Sequence, residues 1–136
     1  MKKLVYIALI FFLNTSCGSR KIDWKKEWSE NRFRLEKLKN DILEKGDLKY
    51  QSGNNHFPDE FGYPFDDGFS INSYNGHIGI DTKKTTITFY MDRGLLDHYS
   101  AIVFTNDSTV IAEMDANVKN GGNDFKIKEN WYAVND

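Results

Sequence analysis

The side chains able to do chemistry are few and scattered. Asp59, Glu60, Asp66 and Asp67 put four carboxylates in one short stretch. Paired carboxylates serve glycoside hydrolysis when they stand ~5 to 9.5 Å apart and one pKa is raised. Carboxylate oxygens also hold calcium. The Asp-x-Asp-x-Asp-Gly order of a calcium loop is missing, and Asp67-Gly68 is turn chemistry by itself. The stretch therefore reads first as solvated turn aspartates. Calcium held by Asp59, Glu60, Asp66 and Asp67 comes next, and hydrolysis at Asp66 and Asp67 after it. The histidines His56, His77 and His98 are evenly spaced, with no close pair of the kind that marks a zinc site. Asp97-His98 would point to opposite faces of a strand. No Gly-x-Ser-x-Gly elbow, phosphate loop or dinucleotide fingerprint occurs. The expectation is no cofactor, no metal and no catalytic residue.

The remaining reactive group is Cys17, the sole cysteine of the chain. It follows a basic start, Met1-Lys2-Lys3, then the uncharged and largely apolar run Leu4 to Leu13, then Asn14-Thr15-Ser16. A membrane-spanning helix needs ~20 apolar residues, and this run is half that. Basic, apolar and small residues in that order describe an exported signal peptide. Residues 1–17 resemble the signal peptide and lipobox of bacterial lipoproteins. Thr15 and Ser16 fit its small positions, while Asn14 stands where an aliphatic residue is usual. The resemblance implies removal of residues 1–16 and acylation of Cys17, palmitate included. Residues 17–21 become a short tether and 22–136 a single domain. Acyl chains contribute ~0.8 kcal/mol per buried CH₂, so more than one anchors stably. The expected address is the cell envelope. Gly18 is not the acidic residue that signals inner-membrane retention in some enteric lipoproteins, which favours the outer membrane.

Composition sets the outer bounds. The chain has 136 residues, 40% hydrophobic and 15% aromatic, with net charge -2. One cysteine excludes an internal disulfide, one apolar run excludes a multi-span protein, and the aromatic content argues against disorder. The charge balance argues against a nucleic-acid partner. Charge is unevenly placed: residues 18–49 carry ten basic and seven acidic residues, and residues 50–136 six and thirteen. A basic segment beside an anchor suits anionic headgroups, although a solvated helix explains it as well.

Residues 22–46 should form a helix. Trp24, Trp28, Leu35, Leu38 and Ile42 recur along one stripe, with Asn31 in its gap. Asp23 suits the N-cap and Gly46 the position past the end. Glu30 with Arg34 and Asp41 with Lys45 are i,i+4 pairs. The stripe reads as a core-facing face ahead of a coiled-coil seam. Residues 47–67 read as a loop, pinned by the aromatics Phe57, Phe61, Tyr63, Phe65 and Phe69 or offering them as a binding surface. Strands are expected at Phe69–Tyr74, at Ile78–Ile80 after an Asn75-Gly76 hairpin turn, at Thr85–Met91 and at Tyr99–Thr105. Asp92-Arg93-Gly94 should turn the chain. Residues 109–118 fit a helix or a strand, and their flanks favour a short helix capped at Asp107 or Ser108. Phe125–Ile127 and Trp131–Val134 form a last strand, interrupted near Glu129-Asn130.

The expected fold is α+β: one long N-terminal helix on a four- or five-stranded antiparallel sheet, with a second short helix. Cystatin-like folds share this outline, an analogy of fold alone. The expected function is a membrane-anchored, non-catalytic binding module of inhibitor, immunity or accessory type, with an envelope protein as partner. Arg93, Leu95, Leu96 and Tyr99 at a hairpin tip, and Phe61, Tyr63 and Phe65 in the aromatic loop, are its candidate contacts. The alternatives are an envelope hydrolase using the loop carboxylates, and a structural subunit that docks through the helix stripe.

Overall fold

The computed structural model of the chain describes residues 22–65, 68–73, 80–93 and 99–135. Helix α1, Trp24–Lys45, begins where Asp23 accepts a hydrogen bond from the Lys26 amide at 3.1 Å. It ends at Gly46, whose φ of 44° and N–H bond to the Ile42 carbonyl turn the chain away. A single 3₁₀ turn, Gly46–Leu48, follows. Trp24, Leu35, Leu38 and Ile42 are buried, Trp28 is partly buried, and Asn31 sits buried among them. The stripe faces the protein's own sheet, so it is not free to dock as a subunit interface.

Among the described residues the sheet has six strands, where four or five were expected: β1 Gly53–Asn55, β2 Phe69–Ser73, β3 Thr85–Arg93, β4 Tyr99–Thr105, β5 Phe125–Lys128 and β6 Trp131–Asn135. Their order across the sheet is β1-β2-β3-β4-β6-β5, and every pairing is antiparallel. The short helix α2, Ser108–Lys119, lies between β4 and β5 in the chain and is capped by Asp107, which accepts from the Thr109 amide at 2.9 Å.

Three local expectations are corrected. β2 lies between β1 and β3, with Phe69 opposite Phe89 and Ser73 opposite Thr85 on the β3 side, and the expected Asn75-Gly76 turn lies outside the described residues. Of the strand expected at Ile78–Ile80, Ile80 alone is described, and it packs on the core outside any strand. Asp92 and Arg93 extend β3, paired with Ser100 and Tyr99 past a bulge, where a turn was expected. The interruption near Glu129-Asn130 is a hairpin turn between β5 and β6, with Asn130 at φ 64°. Asparagine tolerates that left-handed conformation better than most residues.

Alternation along the strands creates two unequal faces. Ile71, Ile87, Phe89, Met91, Ile102, Phe104, Trp131 and Ala133 meet α1. Ala101, Val103, Tyr132 and Val134 face the other way and are covered by Met114 and Val118 of α2. None of the residues of α2 is itself buried, so α2 is the lighter layer. Full burial of a Leu, Ile or Phe side chain contributes ~1.5–3 kcal/mol, which makes the α1 face the principal source of stability. Among the described residues, no buried side-chain nitrogen or oxygen lacks a hydrogen bond.

Gly68 fixes how β1 meets β2. Its φ is +89°, and a Cβ there would lie 2.5 Å from the Asn55 carbonyl oxygen. Gly68→Ala should therefore cost about 2–4 kcal/mol through left-handed strain and backbone collision. Gly53, at φ +100° with open space around it, supplies the control. Gly53→Ala should cost about 1 kcal/mol. Urea unfolding of the two variants measures both values.

Candidate functional site

The C-terminal half of α1 turns its outer flank toward the loop 57–65, and the two enclose a groove of about 660 Å³. Leu38 and Phe61 lie in its floor, and Arg34, Lys37, Asp41, Glu44, Lys49 and Glu60 in its walls. Phe33 stands on the rim, 71% exposed, with the Arg32 guanidinium 4.7 Å from its ring centre. Leu48, 93% exposed, marks the turn that closes that end of the helix. An exposed aromatic with a polar, charged margin is the residue mix found in protein contact surfaces.

Arg34 ties the helix to the loop. Its Nη1 donates to the Glu60 carbonyl at 2.8 Å, its Nη2 donates to Asn31 Oδ1, and its guanidinium lies 5.4 Å from the Phe61 ring centre. Asn31 Nδ2 in turn donates to the Glu27 carbonyl at 2.9 Å. The polar residue in the apolar stripe is thus fully used.

Asp41 organises the other end of the groove. Its Oδ2 accepts from Lys49 Nζ at 2.8 Å and from the Tyr50 hydroxyl at 2.6 Å, and Lys45 pairs with Oδ1. These donors, Lys45 first, hold the Asp41 carboxyl well below its usual range. Asp41 in turn holds the Lys49 ammonium protonated to higher pH than usual. Burial of the ring, followed by the Asp41 hydrogen bond, pushes the Tyr50 phenol up. Near neutral pH the group therefore has fixed charge. A proton-transfer catalyst needs a pKa near the working pH, and these three groups are all displaced from it. What the groove offers is a rigid pattern of charge and hydrogen-bonding groups beside exposed apolar surface.

A second set has the same composition on the opposite face. Asp115 Oδ1 on α2 accepts from Lys126 Nζ at 2.8 Å on β5 and from the Tyr132 hydroxyl at 2.8 Å on β6. Asp115 is again lowered, chiefly by Lys126, and Tyr132 is raised, chiefly by burial. This set clamps α2 to the sheet.

The residues singled out in the sequence are dispersed. Phe65 is fully buried and Phe61 nearly so; Phe61 stacks on Phe57 and Phe65 meets it edge-on. Phe65 is thus a packing residue, while Phe61 packs inward and shows one edge to the groove floor. Tyr63, 68% exposed, is the loop aromatic left at the surface. Tyr99 is partly buried against Tyr90, with ring centres 5.5 Å apart. Arg93 is placed by its backbone in β3. Asp59 and Glu60 are exposed, as is His56. Cys17, Asp66, Asp67, His77, Leu95, Leu96 and His98 lie outside the described residues. Among the described residues, no group of three or more His, Cys, Asp or Glu could hold a metal ion. No helix among them is long and apolar enough to cross a membrane.

Sequence reasoning missed Phe33 and the Asp41–Lys49–Tyr50 group. Phe33 had a signal: a large aromatic on the flank opposite the stripe. Lys49 and Tyr50 had a weaker one, since Gly46 reverses the chain and both their amides bond its carbonyl, at 3.2 and 3.0 Å. Comparison with protein-family models, with curated proteins and with solved structures gave no match.

The pH dependence of stability follows from Asp41. A carboxyl depressed in the folded state stabilises the fold above its unfolded pKa, and that contribution is lost as pH falls through the folded value. The Lys49 contribution, of opposite sign, is fully present below its unfolded pKa and is lost only in strong alkali. Asp41→Asn should therefore lower stability near neutrality and flatten its decline from about pH 5 to pH 2, read by denaturant midpoints across that range. Separately, Tyr132→Phe should speed amide hydrogen exchange in α2 ahead of any change in α1, since α2 has no buried residue of its own to hold it.

Proposed function

We propose that this chain is a small envelope lipoprotein, anchored through acyl groups on Cys17, whose domain binds an envelope protein as an inhibitor, immunity or accessory module. It works by contact and not by catalysis. The observation that carries the binding reading is the groove between α1 and the loop 57–65, with Phe33 standing in water at its rim. Its walls carry both signs of charge, which suits a folded partner with complementary charge better than a nucleic acid or a small apolar ligand. The fixed ionisation of Asp41 and Lys49 supports the same reading, because the pattern presented to a partner stays constant around neutral pH. The lipid anchor is supported by the order of residues 1–17. The residues Arg93, Leu95, Leu96 and Tyr99 are proposed as a second contact, Arg93 lying in β3 and Tyr99 in β4.

Crosslinking and co-purification of tagged full-length protein from its native membranes test the proposal. One partner should be recovered with the wild type and lost with Cys17→Ser. Phe33→Ser should weaken capture about tenfold or more, as an exposed aromatic hot spot does, while leaving the urea midpoint unchanged. Arg93→Ala and Tyr99→Ala test the tip in the same assay. Full capture by Phe33→Ser would remove the groove from the proposal. Full membrane retention by Cys17→Ser would remove the anchor.

A further inference from the structure

The first turn of α1 carries an apolar notch that the sheet leaves open. Ile22, Trp24 and Phe125 line a space of about 480 Å³ with Asp23 and Lys25. Trp24 and Phe125 meet edge-on with ring centres 6.1 Å apart; Trp24 keeps 9% of its surface exposed, and Ile22 and Phe125 are partly buried. The Asp23 carboxylate is engaged as the helix cap, while Lys25 and Lys26 are exposed beside it.

Covalent reach places this notch close to the proposed anchor. Trp24 is seven residues beyond Cys17, so even a fully extended chain separates them by no more than about 25 Å. Positions 18–26 contain Arg20, Lys21, Lys25 and Lys26 against Asp23 alone. Aromatic rings concentrate at the headgroup level of membranes, and basic residues beside an anchor are attracted to anionic lipid. Apolar surface, an indole and a cluster of cations thus coincide at the one end of the domain that a short tether would hold at a bilayer.

We infer that the Ile22–Trp24–Phe125 notch is a membrane foot, covered by an anionic lipid surface when the protein is anchored. The inference rests on the lipid-anchor reading and adds to it an orientation. The first turn of α1 points at the bilayer, and the groove at the other half of the helix points away from it.

The test uses the full-length lipidated protein in vesicles of phosphatidylcholine and phosphatidylglycerol whose acyl chains carry bromine, a quencher of indole emission at contact distance. Intact mass and vesicle flotation report acylation of Cys17 and anchoring. The anchored protein should lose tryptophan emission relative to unbrominated vesicles. That loss should disappear in Trp24→Phe and persist in Trp28→Phe. Ile22→Asp, at a partly buried position of the notch, should reduce the loss. Replacing phosphatidylglycerol by phosphatidylcholine should reduce it too. An acylated, floating protein whose emission is unchanged by bromine overturns the foot and leaves the anchor standing. It would point to a second copy or another protein as the cover of the notch. Quenching that survives in Trp24→Phe overturns the foot as well. Absence of acyl mass on Cys17 overturns the anchor reading, and the foot with it.

Discussion

Trp131 is the residue against which the rest of the domain is set. Its ring lies between Phe104 of the adjacent β4, Phe89 of β3 one strand further on and Trp28 of the helix, with ring centres 5.3, 5.9 and 4.9 Å away. Phe89 continues the run to Phe57, and Phe57 to Phe61, Phe65 and Phe69. One unbroken aromatic layer therefore lies under α1 from its first half to the loop that faces its second half. Each ring contributes burial and an edge or stacked contact worth ~0.5–1.5 kcal/mol beyond burial. The groove exists because this layer holds the loop 57–65 at a fixed distance from the helix. Phe57 and Phe65 are packed inward and hold still the surface to which Phe61 contributes the floor.

Charge is used in the same economical way twice. Asp41 gathers two lysines and a tyrosine on one face of the sheet, and Asp115 a lysine and a tyrosine on the other. In both sets the tyrosine supplies a ring to the packing and a hydroxyl to the carboxylate, so that a semi-exposed ion pair gains a fixed geometry. Exposed pairs alone contribute little to stability. A pair oriented by a phenol whose ring is packed in place loses less side-chain entropy on forming. The result is two reference points, one joining the end of α1 to the chain that leaves it, the other joining α2 to the sheet.

Much of this fold was legible in the sequence, and the reasons differ by element. The α1 stripe and its two caps are local signals that agree, so its limits were read nearly to the residue. The helix α2 was legible from Asp107 and the Asn120-Gly121 end, whereas its periodicity fitted a strand equally well. The strand β1 was hidden because Gly53-Asn54-Asn55 is turn composition. It pairs with β2 through backbone, while Asn55 bonds back to Gln51 and Gly53. The pairing of β2 with β3 was hidden because register is a long-range property, and Asn75-Gly76 advertises a nearer partner. At the groove, the apolar outlier Phe33 was visible and passed over. The Asp41 group required a chain reversal that sequence spacing does not reveal.

The two borders of the sheet set how the domain behaves in company. One border is β1, three residues long, and the other is β5, four residues that include Lys126 and Lys128 and a break in register against β6. Short, lysine-bearing and irregular borders make poor templates for a further strand. Molecules crowded in a plane meet sideways at high local concentration, the condition in which exposed sheet borders fuse. This chain has aromatic mass enough to aggregate, and it keeps most of that mass, Phe33 and Tyr63 apart, between its layers while presenting its neighbours with borders too brief to extend.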